Sequence, residues 1–240
     1  MINELLATCP DWIEVCEQVE REIIVSATPK KPSGKNCRTY KLRIWIEDNR
    51  IEVSESPVGN LLPEACAERH INYGGSFCVG LNIGSKVHDR CSAKKWWLHL
   101  GTYLVCQEFA CDTGRWPPGK GLSHGEAAVY QLKAERFAAA LGKKQDYLDA
   151  VEHGVGSLAK AMPEISKTKS QFYKMNARCP LNCKRKDGSK FTRIECNQLE
   201  LVYGLVKNER LRRKADADFV ATFKAIGIKC CETMEQCPFR

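Results

Sequence analysis

An imidazole, a carboxamide and a thiol fall within nine residues in the stretch His70-Ile71-Asn72-Tyr73-Gly74-Gly75-Ser76-Phe77-Cys78. The glycine pair marks a turn, and the thiol of Cys78 follows just beyond it. A cysteine so placed can act as a nucleophile that holds an acyl group as a thioester. A side-chain amide a few residues upstream, here Asn72, can donate to the oxyanion formed when that thioester is attacked. His70 reads as a hydrogen-bonding residue that orients the loop rather than as an acid or base. Most free cysteines pack as small buried hydrophobes. Among the 14 in this chain, it is the company of His70, Asn72 and the glycine turn that singles out Cys78.

A second grouping of thiols suggests different chemistry. Cys179, Cys183, Cys196, Cys230, Cys231 and Cys237 crowd the C-terminal quarter of the chain. Structural zinc takes four donors in a tetrahedron, and with no histidine in this region only an all-thiolate site is available. The expectation is one structural zinc held by four of the six, drawn from segment 179–196 and segment 230–237. Such a metal would tie together the ends of the helical stretch between them and contribute folding energy directly. The competing reading is a cysteine-rich packed helix pair. No organic cofactor is expected.

The chain that must carry these groups has 240 residues, enough for one large core or two smaller ones. Hydrophobic content of 43% and charged content of 28% are ordinary for a globular chain. No apolar run approaches the roughly 20 residues needed to span a bilayer. Met1-Ile2-Asn3-Glu4-Leu5-Leu6 lacks the pattern of a secretory signal. These features predict a cytoplasmic protein with reduced thiols and no membrane partner. The net charge of +8 gathers after residue 170, at Lys184, Arg185, Lys186, Lys190, Arg193, Arg210, Arg212, Arg213 and Lys214. Interleaved Glu209, Asp216 and Asp218 make this a solvated helix face, so nucleic acid is not an expected partner.

Residues 2–21 read as a short amphipathic helix, with Leu5, Leu6, Cys9, Ile13 and Cys16 at helical spacing and Pro10 as a possible break. Segments 22–27, 39–46 and 50–54 alternate apolar and polar residues, and the turns between them predict an antiparallel meander. A helix is predicted over 93–111 with Trp96, Trp97, Leu100, Leu104 and Phe109 on its apolar face. Adjacent tryptophans are not expected to share one core, so one should seal the catalytic lobe and the other meet the next segment. Ser123 and Glu126 have capping-box spacing and open a helix to about Leu141, with His124 at the surface. Residues 144–170 hold another helix and a Lys- and Ser-containing connection. A last helix spans 197 to about 226.

His70-Ile71-Asn72, the glycine turn and Gly75-Ser76-Phe77-Cys78 resemble the active-site segment of ubiquitin-conjugating enzymes. There a His-Pro-Asn triplet precedes a Gly-Ser-Ile-Cys-like run ending in the catalytic cysteine. Ile71 replaces the proline here, and the loop is shorter. The resemblance covers roughly residues 1–115. It implies an α+β fold in which a ubiquitin-conjugating-like lobe, a meander packed with helices, precedes a mainly helical cysteine-rich region. The corresponding layout is a catalytic lobe at 1–115, a helical extension at 116–170 and a cysteine-rich region at 171–240. It also implies that Cys78 is the nucleophile, with Asn72 and His70 supporting it.

The whole layout is similar to bacterial proteins found with the cyclic-oligonucleotide synthases of CBASS anti-phage defence. That likeness implies that the C-terminus of the nucleotidyltransferase is carried on Cys78 and passed to an acceptor amine. The alternative is a catalytically inert, zinc-stabilised adaptor that binds a partner protein without chemistry.

Overall fold

The structure, a computed structural model, describes residues 1–160, 162–166 and 171–240. The chain divides into two compact units: Met1–Lys120 together with Ile228–Arg240, and Gly121–Gly227. The sequence suggests boundaries near 115 and 170; the units instead divide at 120 and return the last 13 residues to the first.

The first unit is α+β. A short helix α1 (Ile2–Leu6) precedes strands β1 (Ile13–Val19), β2 (Glu22–Ala27), β3 (Tyr40–Glu47) and β4 (Arg50–Glu55), which pair antiparallel in sequence order. The meander is as the alternation predicts, but it has a fourth strand where helix was expected. Ile13, Val15 and Val19 are β-branched, and Pro10 stops α1 from extending into them. Once Ile13 pairs with Ala27 and Val15 with Val25, the hydrogen-bonding demand of β2 outweighs a weak helical period.

One face of the sheet is dry. Ile23, Val25, Leu42, Ile44 and Val53 are buried on that face, in register across β2, β3 and β4. They pack in one core with helix α2 (Arg90–Thr113), through Ala93, Trp96, Leu100 and Leu104. A capping box opens α2: Ser92 N–H donates to Asp89 Oδ1 at 2.7 Å, and Ser92 Oγ accepts from Asp89 N–H at 3.0 Å. Gly114 closes the helix in the left-handed conformation.

Both tryptophans of α2 are buried in this one core, contrary to expectation. Trp96 is fully buried, while Trp97 turns toward the N-terminal segment. Trp97 donates Nε1–H to Leu5 O at 3.0 Å and meets Trp12 edge-on, with ring centroids 6.1 Å apart. A helix covered by the sheet and by the N-terminal segment buries a face wide enough for adjacent positions. Phe109 was expected on that face; it is instead partly exposed.

The second unit is helical: α3 (Ala127–Ala140), α4 (Lys144–His153) and α5 (Leu199–Ala225). The Lys- and Ser-containing connection at 167–170 lies outside the described residues. Helices α3 and α5 pack closely at Gly204, where a Cβ would sit 2.5 Å from the Phe137 ring. Ala134, Ala138, Tyr147, Leu158 and Leu205 form one core cluster; Phe172, Val202 and Val206 form another.

The capping box expected at Ser123 and Glu126 is absent. Helix α3 starts later, and Ser123 is used otherwise: its N–H donates to Gln131 Oε1 and its hydroxyl accepts from Arg212. His124 is not a surface residue either. It is half-buried, stacked on Phe219 with ring centroids 5.0 Å apart, and its Nδ1 stands 3.5 Å from Asp216.

Candidate active site

The segment from Cys66 to Cys78 is a strap folded back on itself. Cys66 and Ile71 exchange both backbone hydrogen bonds, at 3.0 and 2.9 Å, around a short 3-10 turn at Ala67–Arg69. His70 ends that turn in the left-handed conformation, at φ 53° and ψ 39°. The strap then reverses tightly: Asn72 N–H donates to Ser76 O and Gly75 N–H to Asn72 O. Gly75, at φ 88°, cannot be replaced freely, because a Cβ there would lie 2.5 Å from Val58 Cγ1. Beyond the turn the strap docks on the sheet edge. Phe77 N–H donates to Val53 O at 2.7 Å, and Ser76 bridges to Ser54.

This bracing delivers Cys78 to the surface. Its N–H donates to His70 O at 2.8 Å, and the residue is exposed although its sulfur is partly shielded from solvent. The neighbouring side of the strap is heavily held from below. Arg69, 2% exposed, donates Nε–H to Gln107 Oε1 at 2.8 Å and Nη2–H to Gln107 O at 3.2 Å. Gln107 Nε2 returns a hydrogen bond to Arg69 O at 2.7 Å. The Tyr103 hydroxyl, shared between Arg69 O and His70 O at 3.2 Å each, completes the support. Burial raises the Tyr103 hydroxyl well above the usual phenol range, so it stays a donor. The His70 ring packs on Trp116, with centroids 5.0 Å apart. Its position is that of a residue that fixes the loop's path.

Each expected residue can now be placed. Cys78 and His70 meet through the backbone. The Asn72 carboxamide donates Nδ2–H to Ser76 Oγ at 3.1 Å, within the reversal. The electrostatics around Cys78 hold it as a thiol. Burial of the sulfur raises its pKa, the Gly80 N–H lowers it, Glu52 raises it and Arg50 lowers it, with the balance upward. Two contributors lay outside the sequence argument. Glu52 and Arg50 on β4 reach the thiol only because the strap docks on that edge. His99 on α2 lies beside Gly80: its Nδ1 is 3.7 Å from where a Gly80 Cβ would stand. Burial and then Lys86 lower its pKa, leaving a neutral imidazole at pH 7. No local spacing signals these residues; only the fold brings them near Cys78.

The cysteine-rich grouping is rearranged. Cys179, Cys183 and Cys196 belong to the second unit, where the Cys179 and Cys183 sulfurs are 3.9 Å apart. Cys230, Cys231 and Cys237 belong to the first unit. The chain turns at Gly227, φ 81°, and the tail is held to the end of α2: Glu235 N–H donates to Gly114 O at 2.8 Å, and Met234 is buried beside Ala110 and Cys66. The tail's nearest sulfur partner is therefore Cys66, 2.8 Å from Cys231. Among the described residues, no three His, Cys, Asp or Glu side chains are grouped to hold a metal ion. The six thiols as placed do not fit the single zinc centre expected from 179–196 and 230–237, and no chemistry below is routed through a metal.

The fold is an α+β lobe with a cysteine presented on a braced loop. Comparison with protein families agrees: residues 12–118 match the model of the prokaryotic E2 domain. Residues 123–239 match the model of the cysteine-rich domain found C-terminal to the E2 domain. The chain is thus similar to a prokaryotic E2 domain over 12–118 and to the cysteine-rich domain that follows such domains over 123–239. No curated protein and no solved structure matches it. Such a cysteine-rich domain is compatible with a structural metal. Among the described residues no helix is long and apolar enough to cross a membrane.

Proposed function

We propose that this protein is a conjugating transferase in which Cys78 carries the C-terminal carboxyl of a partner protein as a thioester. The observation that supports this reading best is the placement of Cys78, a surface residue, at the end of a strap braced by Arg69, Gln107 and Tyr103, within the span that matches the prokaryotic E2 domain. In the first step the Cys78 thiolate attacks an activated acyl carbon, and the activating group leaves with the electron pair of the broken bond. In the second an amine attacks the thioester carbonyl; the tetrahedral oxyanion collapses, the amide forms and Cys78 leaves as thiolate. Aminolysis of a thioester needs positioning and oxyanion stabilisation more than strong base. Asn72 has a second N–H besides the one given to Ser76, and this is the donor we assign to the oxyanion.

Where ATP-dependent activation is required, we assign it to another component. The partner we infer is the C-terminus of a CBASS nucleotidyltransferase, and the acceptor a lysine amine, in anti-phage defence. Support for partner and setting comes from the resemblance of the layout alone.

The decisive experiment offers the protein a peptide thioester ending in the partner's C-terminal residues and maps the adduct by mass spectrometry. A thiol-labile adduct on Cys78, absent from Cys78→Ala, is the expected result. An adduct that persists on Cys78→Ala would move the nucleophile to another cysteine. The inert-adaptor reading is favoured by the raised Cys78 pKa and by the commitment of Asn72 to Ser76. It predicts no adduct at any pH, with partner binding unchanged in Cys78→Ala.

A further inference from the structure

One pair of thiols in the first unit takes no part in the acyl transfer just described. Cys66 begins the active-site strap and is buried; Cys231 lies in the C-terminal tail and is half-buried. They are 165 residues apart in sequence, yet their sulfurs share one S–H···S contact of 2.8 Å. Both are held from outside the pair. Cys66 is fixed by its two backbone hydrogen bonds with Ile71. Cys231 is fixed through Thr233, whose hydroxyl lies 3.2 Å from its sulfur and accepts from Arg69 Nη1 at 3.4 Å. Closing this contact to a covalent S–S distance of about 2.05 Å asks for a movement of less than about 1 Å. By comparison, the Cys179 and Cys183 sulfurs of the second unit are 3.9 Å apart, and in the first unit Cys230 and Cys237 also lie close to this pair.

The two thiols differ in a way that assigns an order. Cys231 is the accessible member, with the Thr233 hydroxyl beside its sulfur and the Arg69 guanidinium close by, surroundings that favour a thiolate. Cys66 has its side chain in the cluster formed with Ala110 and Met234, out of reach of a bulky reagent. A half-buried, accessible attacking thiolate backed by a buried thiol is the arrangement of a redox-responsive dithiol rather than of a structural core pair.

We propose that Cys66 and Cys231 form a redox-modification site that a low-molecular-weight disulfide of the glutathione class converts to an intramolecular disulfide, tying the C-terminal tail to the base of the active-site strap. The Cys231 thiolate attacks one sulfur of the reagent, breaking its S–S bond and expelling one thiolate. The mixed disulfide on Cys231 is then attacked by Cys66, which gives up its proton as the second reagent thiolate leaves. The reagent is reduced to two thiols, and the protein loses two hydrogens and two electrons. In a reducing compartment such a bond is transient, forming when the thiol poise shifts. The proposal does not depend on the acyl-transfer reading.

The test is a redox titration of the full-length protein with glutathione and glutathione disulfide, alkylation of remaining thiols, and peptide mapping without reductant. A Cys66–Cys231 linked peptide should be the first to appear, and dithiothreitol should reverse it. The oxidised protein should also unfold at a higher denaturant concentration. In Cys66→Ser the glutathione should remain on Cys231 as a mixed disulfide; in Cys231→Ser, Cys66 should stay reduced. Intact tryptophan emission confirms that each variant is folded, and if one is not, the wild-type map decides alone. Linkage of Cys231 to Cys111, Cys230 or Cys237 instead, or reaction of Cys66 in Cys231→Ser, would overturn the proposal. So would zinc bound near one equivalent with both thiols protected from the disulfide.

Discussion

At the scale of single residues, the chemistry turns on how Cys78 is held. Burial of its sulfur dominates the local field and keeps the group protonated at neutral pH, so the reactive thiolate is a minor species. Its fraction rises about tenfold per pH unit until the raised pKa is reached. Loading of Cys78 from a peptide thioester should therefore accelerate with a slope of about one in a logarithmic plot from pH 7 upward. Glu52 opposes ionisation of Cys78, and Glu52→Gln should move the whole profile toward lower pH without changing its slope. A stopped-flow pH series on both proteins measures this. A profile flat from pH 6, or unmoved by Glu52→Gln, would mean that a base or cation not identified in the site activates the thiol.

At the scale of elements, three arginines of α5 are engaged inside the second unit. Glu209, 1% exposed, accepts from Arg212 Nε at 2.7 Å, Arg213 Nε at 2.6 Å and the Tyr147 hydroxyl at 2.8 Å. Arg210 caps the carbonyls of Met162 and Pro163. Glu209 thus holds α4 to α5 through Tyr147, and Arg210 and Arg213 hold the segment after α4. Burial pushes the Glu209 carboxyl up, but Arg212, Arg213 and Tyr147 together outweigh it and hold its pKa below the usual range. A pKa depressed on folding adds stability above the unfolded value of about 4.3, and that stability is lost as pH falls through the folded value. The helical circular-dichroism transition of the wild type should weaken below about pH 4 for this reason. Glu209→Gln should lose about 3–5 kcal/mol at pH 7, because two guanidiniums are left without their carboxylate, and should show less acid sensitivity. Equal pH dependence in the two proteins would place the acid-labile group elsewhere.

At the scale of the whole molecule, the tail after α5 belongs to the first unit, which contains the match to the E2 domain, although the family match places it with the cysteine-rich domain. Met234, 3% exposed, fills a place between Ala110 and Cys66, and Arg115 pairs with Glu235. All five tryptophans, at 12, 45, 96, 97 and 116, lie in the first unit, so their emission reports that unit alone. Met234→Ala should lower the urea midpoint followed by tryptophan emission, by a destabilisation of about 2–4 kcal/mol. A substitution more than 100 residues beyond the E2 match would then be felt inside the E2 core. An unchanged emission midpoint would show that the tail adds nothing to that core.

The sequence by itself determined whatever depends on neighbours along the chain. The alternation of 22–27, 39–46 and 50–54 sufficed for the meander, because pleated strands bury every second side chain. The periods of α2 and α5 were legible because each helix keeps an apolar stripe over many turns. The strap from His70 to Cys78 announced itself through its glycine turn and thiol. Tertiary structure decided what depends on distant pairing. Residues 13–19 became a strand because β2 offered an edge, and Trp96 and Trp97 share a core because a sheet and an N-terminal segment flank the same helix. Glu52 and Arg50 entered the field of Cys78 only through the docking of the strap on β4. The C-terminal thiols were read as closing a site with Cys179 and Cys183, their neighbours in composition; the turn at Gly227 carries them to Cys66 instead. Spacing along a chain constrains contacts only within an element. Once a loop intervenes, the burial of residues such as Met234 and Arg69 decides which groups meet.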